Sequence, residues 1–266
     1  MSLIPTTPGA VGRDVSRCAI GLLGESRVGK TTLALSAPGT VLLQTEPGSD
    51  SIPGNYFPVT VPDWETFLLC VKELQTRGDV KRVVVDTFGR LCYFAQDFGC
   101  RELKISHPTD AGYGKGQDRV KMRFRQGMQA LFNLKKQLIF VCHTREITRP
   151  FMGNDVTTVT AEVPSFGQQF LKCDADANVY MRKTRDDVNP LKSHRRVFFH
   201  GDETLEIGGR FIPGVGIPDF VEIPDYPAPG WPVVEAILRK GFALPGTVAT
   251  EGASNGAARK KIVLRK

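Results

Sequence analysis

No apolar run in this 266-residue chain approaches the ~20 residues that a bilayer-spanning helix needs, which removes a helical membrane protein from consideration. Residues Met1 to Gly12 are rich in Pro, Thr and Gly and lack the apolar centre of a secretory leader, so export is not indicated. The six cysteines (Cys18, Cys70, Cys92, Cys100, Cys142 and Cys173) include no C-x-x-C pair, and most sit in apolar surroundings. They read as buried free thiols in a reducing cytoplasm, not as a disulfide framework or a structural zinc site. No internal repeat is visible, which sets aside solenoids and propellers.

What is present is the composition of a soluble globular chain, 41% hydrophobic and 24% charged, long enough for one α/β domain with extensions. Lys plus Arg exceed Asp plus Glu by seven, which favours a polyanionic partner. Part of that excess lies in Arg259-Lys260-Lys261 and Arg265-Lys266, which also read as a solvated tail.

The most informative stretch is Gly24-Glu25-Ser26-Arg27-Val28-Gly29-Lys30-Thr31, a G-x-x-x-x-G-K-T phosphate-binding loop continued by Thr32. Glycines let the backbone wrap a phosphate with its N–H groups turned inward. Lys30 can then reach the β- and γ-phosphates, the Thr31 hydroxyl can ligate Mg²⁺, and the following helix adds the positive end of its dipole. The context agrees. Cys18 to Leu23 is an apolar run of buried-strand length, and Thr31 to Ser36 is helix-compatible until Pro38-Gly39. With no N/T-K-x-D guanine-reading motif in the chain, the nucleotide is read as ATP, on the resemblance given below.

Downstream, Val41-Leu42-Leu43 reads as a short buried strand. Asp63 is placed to cap a helix with Trp64, Phe67, Leu68, Val71 and Leu74 on one face, ended by Gly78. Arg82 to Asp86 is a β-branched strand, and Phe88, Leu91, Cys92, Ala95 and Phe98 stripe a second helix. Ile105 to Asp118 reads as a glycine-rich loop, about Arg119 to Lys135 as a third helix, and Leu138 to Cys142 as a further strand. Arg145 to Val163 is expected to be polar and irregular. Strand-like runs follow at 177–181 and 196–199, with a last helix at 232–239. Strands alternating with helices predict an α/β fold, a mainly parallel sheet with helices on both faces.

Asp86 ends the run Val83-Val84-Val85 about 55 residues after the P-loop, the Walker B placement that delivers a carboxylate to the Mg²⁺ shell. Thr87 stands next, where many such enzymes carry a glutamate. Glu46, at the end of the strand after the P-loop helix, lies on the same sheet edge and is the candidate to activate water. The order G-E-S-R-V-G-K-T-T, L-L-Q-T-E-P-G, V-V-V-D-T and I-F-V-C-H-T-R-E resembles the RecA-like P-loop ATPase core. With H-P-T-D-A-G-Y-G-K-G at 107–116 it also resembles phage-encoded AAA-type nucleotide-binding proteins, including the single-strand annealing ATPases of phage recombination systems.

The resemblance, over about residues 17–212, implies that Glu46 is catalytic and that His143 senses the γ-phosphate. It implies ATP and Mg²⁺ as cofactors, a ring or filament of like subunits, and a host-cytoplasmic setting. Two segments, 106–118 and 144–162, would contact single-stranded DNA through Lys115, Arg145 and Arg149, with Tyr113 and Phe151 stacking on bases. A neighbouring subunit would add a basic residue from among Arg182, Lys183, Arg185, Arg195, Arg196 and, preferred, Arg210. The expected layout is an arm at 1–16, the core at 17–212, a Pro/Gly-rich extension at 213–245 and a disordered basic tail at 246–266. The same loop would also serve a small-molecule phosphotransferase or a nucleotide-dependent switch that ignores DNA.

Overall fold

Ala19–Gly24 (β1) is buried at every position, as a strand with neighbours on both edges and helices on both faces must be. In the computed structural model, which describes residues 12–48, 51–151, 154–185 and 193–243, the chain continues through Lys30–Leu35 (α1), Thr40–Gln44 (β2), Tyr56–Thr60 (β3) and Trp64–Leu74 (α2). Next come Arg82–Asp86 (β4), Phe88–Leu103 (α3), Lys115–Phe132 (α4), Gln137–Cys142 (β5), Thr144–Phe151 (β6) and Asn154–Ala161 (β7). Ser165–Cys173 (α5), Ala177–Arg185 (β8), Ser193–Phe198 (β9), Gly208–Gly209 (β10), Phe220–Ile223 (β11) and Trp231–Phe242 (α6) complete it.

The main sheet runs β11-β9-β8-β1-β5-β4-β2-β3, with β10 beside β8. All pairs from β8 to β3 are parallel; β9, β10 and β11 add antiparallel partners at the other side. This is the expected α/β fold with a mostly parallel sheet, consistent with a RecA-like P-loop NTPase. Period-two alternation splits the strand side chains between two cores. Ala19, Leu23, Val83, Val85, Leu138 and Phe140 pack under α2, α3, α4 and α5, while Ile20, Leu22, Val84, Ile139 and Val141 pack under α1 and α6. The first core is stapled by Phe88, Phe124, Phe140 and Phe170, whose rings meet at centroid distances of 4.8–6.1 Å. Each such ring contributes roughly 1.5–3 kcal/mol by leaving water.

Several elements depart from the sequence reading. β3 was not expected, because it is a half-exposed edge strand interrupted by Pro58, a residue only an edge tolerates. The 145–163 stretch is an antiparallel hairpin, β6 on β7, and not irregular. It has polar residues on both faces because it stands apart from the main sheet. α4 begins at Lys115, four residues early, because Gly114 supplies a left-handed N-cap (φ 75°). α5, nine residues long with only Gly167, Phe170 and Leu171 buried, lacked a visible stripe. The Asp63 cap forms as expected, its carboxylate accepting from Thr66 N at 2.7 Å.

α6, in the Pro/Gly-rich extension, belongs to the second core: Trp231, Val234, Leu238 and Phe242 are fully buried there. The basic tail at 246–266 lies outside the described residues. Cys18, Cys92, Cys100 and Cys142 are buried, Cys70 is half-buried and Cys173 exposed; all are free thiols. Among the described residues no helix is long and apolar enough to cross a membrane.

Candidate active site

The connections from β1 and β5 leave the sheet on opposite faces, through α1 and α5 respectively, and open a crevice at the carboxyl ends of the strands. Parallel register fixes what meets there. Gln44, Asp86 and Val141 are level across β2, β4 and β5, so Glu46 and His143 each stand two residues above that row. A cavity of about 530 Å³ results, lined by Lys30, Thr31, Glu46, Asp86, Thr87 and His143 together with P-loop backbone. Three strand ends and one loop, scattered over more than a hundred residues of chain, therefore converge on one space.

The loop's two glycines are there for different reasons. A Cβ on Gly24 would stand 2.4 Å from the Met181 carbonyl oxygen of β8, so the strand pairing admits no side chain. Gly29 has φ 105°, a conformation that side chains resist, and it hands the chain into α1. Ser26, Arg27 and Thr32 line the same cavity; Glu25, Ser26, Arg27 and Val28 also face a separate polar recess of about 580 Å³ shared with Arg182, Lys183 and Arg185.

Lys30 is buried, and its Nζ donates to the Gly24 carbonyl at 2.8 Å and the Glu25 carbonyl at 2.6 Å. Two loop carbonyls thus hold the ammonium at the cavity wall. Burial pushes the Lys30 amine below its ordinary pKa, against the pull of Asp86. The Thr31 hydroxyl donates to Asp86 Oδ2 at 2.6 Å. Burial raises the Asp86 carboxyl above its ordinary value; the Thr31 hydrogen bond and the Lys30 charge oppose that rise without cancelling it. A carboxylate beside a hydroxyl, both hard oxygen donors, is a pair that fits Mg²⁺, which takes one or two carboxylates and fills the rest of its shell with phosphate and water.

Thr87 was read from the sequence only as the absence of a glutamate. In the structure its hydroxyl donates to Glu46 Oε1 at 3.0 Å and caps α3 by accepting from Arg90 N at 3.4 Å. Thr45 locks the same turn, exchanging hydrogen bonds with the Thr87 backbone at 2.8 and 3.0 Å. The signal was available in retrospect: a residue directly after Walker B must face the strand end beside it. His143 is half-buried at the cavity wall, and its carbonyl accepts from Glu162 N at 2.8 Å, closing the base of the β6–β7 hairpin.

Other expected site residues lie elsewhere. Tyr113 is fully exposed and Lys115 is exposed, both outside the cavity, at the start of α4. Arg145 is exposed on β6, two residues beyond His143. The backbones of Arg149 and Phe151 lie in β6, but their side chains are outside the described residues. Arg210 sits at the amino end of the sheet, the far side from the P-loop. Its N–H bonds Asp176 O at 2.8 Å, and its guanidinium binds the Cys173 carbonyl.

A family model described as an AAA domain matches residues 16–206, well over half of the chain. No curated protein matches it. Among solved structures, a KaiC-like protein from the hyperthermophilic archaeon Pyrococcus horikoshii is similar at 12% identity, over 79% of this chain and 90% of that one, with a TM-score of 0.41.

Proposed function

This chain belongs to the AAA domain family and is a P-loop NTPase, and from that premise we propose that it hydrolyses ATP with Mg²⁺ in an oligomer acting on single-stranded DNA, in phage-type recombination, annealing or replication. The observation that carries the proposal is the convergence of Lys30, Thr31, Asp86, Glu46 and His143 on one cavity.

The P-loop amides and Lys30 hold the β- and γ-phosphates, the ammonium exchanging its two backbone carbonyls for phosphate oxygens. Thr31 and Asp86 would hold Mg²⁺, which supplies charge neutralisation on the phosphates. Glu46, oriented by the Thr87 hydroxyl, takes a proton from the attacking water. His143 reads the γ-phosphate. Its carbonyl closes the β6–β7 hairpin, so a shift of its ring reaches a strand that carries Arg145 and Arg149.

The DNA part of the reading rests on exposed residues that local folding does not explain. Tyr113 is bulky, fully exposed and left-handed (φ 58°), a conformation costly for such a residue. An aromatic held open to solvent in this way suits stacking on an unpaired base. Arg210, exposed on the opposite edge from its own cavity, is the residue we propose a subunit adds to its neighbour's site. Arg210→Ala is expected to reduce turnover while leaving nucleotide binding intact.

Steady-state phosphate release with and without single-stranded DNA tests the whole reading, with Lys30→Ala as the blank. Stimulation by DNA that His143→Ala abolishes is expected. Turnover indifferent to DNA would leave a P-loop NTPase acting as a switch or phosphotransferase and would remove the recombination role.

A further inference from the structure

Beside the phosphate cavity, and sharing Gly29, Thr32 and Ile52 with it, lies a second pocket of about 350 Å³. It occupies the side of α1 away from Asp86, walled by Leu33 and Ser36 of that helix and by Met181, Ile223, Pro224 and Tyr226 from across the sheet. A triphosphate threaded along Lys30 and Thr31 leaves past Thr32, so whatever is attached to its α-phosphate arrives at this pocket.

Two features mark the pocket as built for a flat ring. Arg195 of β9 leans over the P-loop: a Cβ on Gly29 would meet its Nε at 3.6 Å. That Nε is buried yet has no hydrogen-bond partner among the described residues, and the guanidinium's remaining tie is a loose 3.8 Å approach to Asp225, whose side chain is 95% exposed. Tyr226, which lines the same pocket, keeps 55% of its surface in solvent. The pocket thus holds a guanidinium and an aromatic ring among largely apolar walls, the kinds of group on which bases stack.

The side chains lining the slot include no carboxylate or amide to read a purine's edge, and the Thr32 and Ser51 hydroxyls can donate or accept. The Ser36 hydroxyl is engaged, donating to Leu33 O at 2.7 Å and accepting from Trp231 N at 2.8 Å. Arg195 offers donors only, and both purines present the N7 acceptor to a donor. Resting on the nucleotide reading above, we propose that this pocket receives the purine base of the bound triphosphate and accepts adenine and guanine alike, with Arg195 and Tyr226 as its stacking walls. The protein is then a purine-nucleotide enzyme whose choice between ATP and GTP is set by their supply.

Calorimetric titration of the full chain with Mg²⁺ and the β,γ-imido forms of ATP, GTP and CTP, and with inorganic tripolyphosphate, separates the claims. Expected are purine affinities within about threefold of each other and a pyrimidine about tenfold weaker. Arg195→Lys keeps the charge but loses the plane, and Ala228→Trp fills the slot from its exposed rim. Each is expected to weaken both purines about tenfold and leave tripolyphosphate unchanged, with unaltered thermal melting showing that the fold persists. A hundredfold preference for one purine would overturn the proposal. So would parallel losses for tripolyphosphate, which would make Arg195 a phosphate ligand, or no loss at all, which would put the base elsewhere. Wild-type protein that binds neither purine nor tripolyphosphate would overturn the nucleotide reading itself, and the pocket with it.

Discussion

At the amino end of the strands Arg82 of β4 is buried, its Nη2 donating to Glu235 of α6 at 2.9 Å and its Nε to Gln137 of β5. Gln137 in turn accepts from Trp231 Nε1 at 3.0 Å and donates to Val15 O at 2.9 Å. At the carboxyl end of the same strands Asp86 and Lys30 are also largely buried, but they face a cavity of about 530 Å³, and burial shifts both toward their neutral forms. Both ends bury charge. The amino end surrounds its arginine with protein partners and ties the last helix to the sheet, whereas the carboxyl end pairs its charges only with loop carbonyls and one hydroxyl and leaves them facing an open cavity. Charge buried against such a cavity costs stability, and it persists where a ligand completes it.

Substitutions should separate the two ends. Asp86→Asn is expected to cut Mg²⁺-dependent turnover by on the order of 10³-fold. The melting temperature of the nucleotide-free protein should stay level or rise, because the change removes a carboxyl that burial disfavours. Full turnover, or a marked drop in melting temperature, would erase the distinction. Glu235→Ala should do the reverse. It strands the Arg82 guanidinium at the amino end and is expected to cost about 3 kcal/mol, a fall of roughly 6–12 °C. Turnover per folded molecule should stay near wild type. Differential scanning calorimetry beside an initial-rate assay reads both halves of the pair.

Glu46→Gln asks a finer question at the open end. Thr87 donates to this side chain, and an amide oxygen can still accept that bond, so the geometry survives while the basicity is lost. Nucleotide affinity should hold while turnover falls by about 10²-fold. Acid probes the same end. An Asp86 carboxyl raised above 3.8 binds a proton more tightly folded than unfolded. Its contribution to stability is therefore fully present below the unfolded pKa and is lost as pH rises through the folded one. Under the proposed role of Asp86 in holding Mg²⁺-nucleotide, affinity should fall as pH drops through the raised pKa, at a pH where an ordinary aspartate is still ionised. An affinity flat down to pH 4 would show that the carboxylate is not part of the binding set.

Most of the open end was legible in the sequence, and most of the closed end was not. The P-loop glycines, Asp86, Glu46 and His143 each sit at the end of an apolar run, and parallel pairing forces such ends to one edge. Arg82, Gln137 and Glu235 lie up to 153 residues apart, and nothing local marks them as partners. The hairpin at 144–161 escaped because its polar residues on both faces conceal the period of a half-buried strand. Thr87 escaped because its importance lies in what it touches. Arg195 was one basic residue among many until the fold laid it over Gly29.

The smallest effect expected lies on α4 and sharpens the comparison outside the cavity. Lys115 opens this helix, where the aligned peptide dipoles disfavour a cation, and no ion pair among the described residues relieves it. Like Asp86, it is a charge that its own fold does not reward. Lys115→Ala should raise stability slightly, by about 0.3–1 kcal/mol. If Lys115 meets a phosphate of single-stranded DNA, the same change should make the slope of log affinity against log salt shallower by about 0.7. Fluorescence anisotropy of a labelled oligonucleotide across a salt series measures it. A steady slope with the stability gain intact would make Lys115 a misplaced surface charge and leave the proposed DNA contacts to Arg145, Arg149, Tyr113 and Phe151.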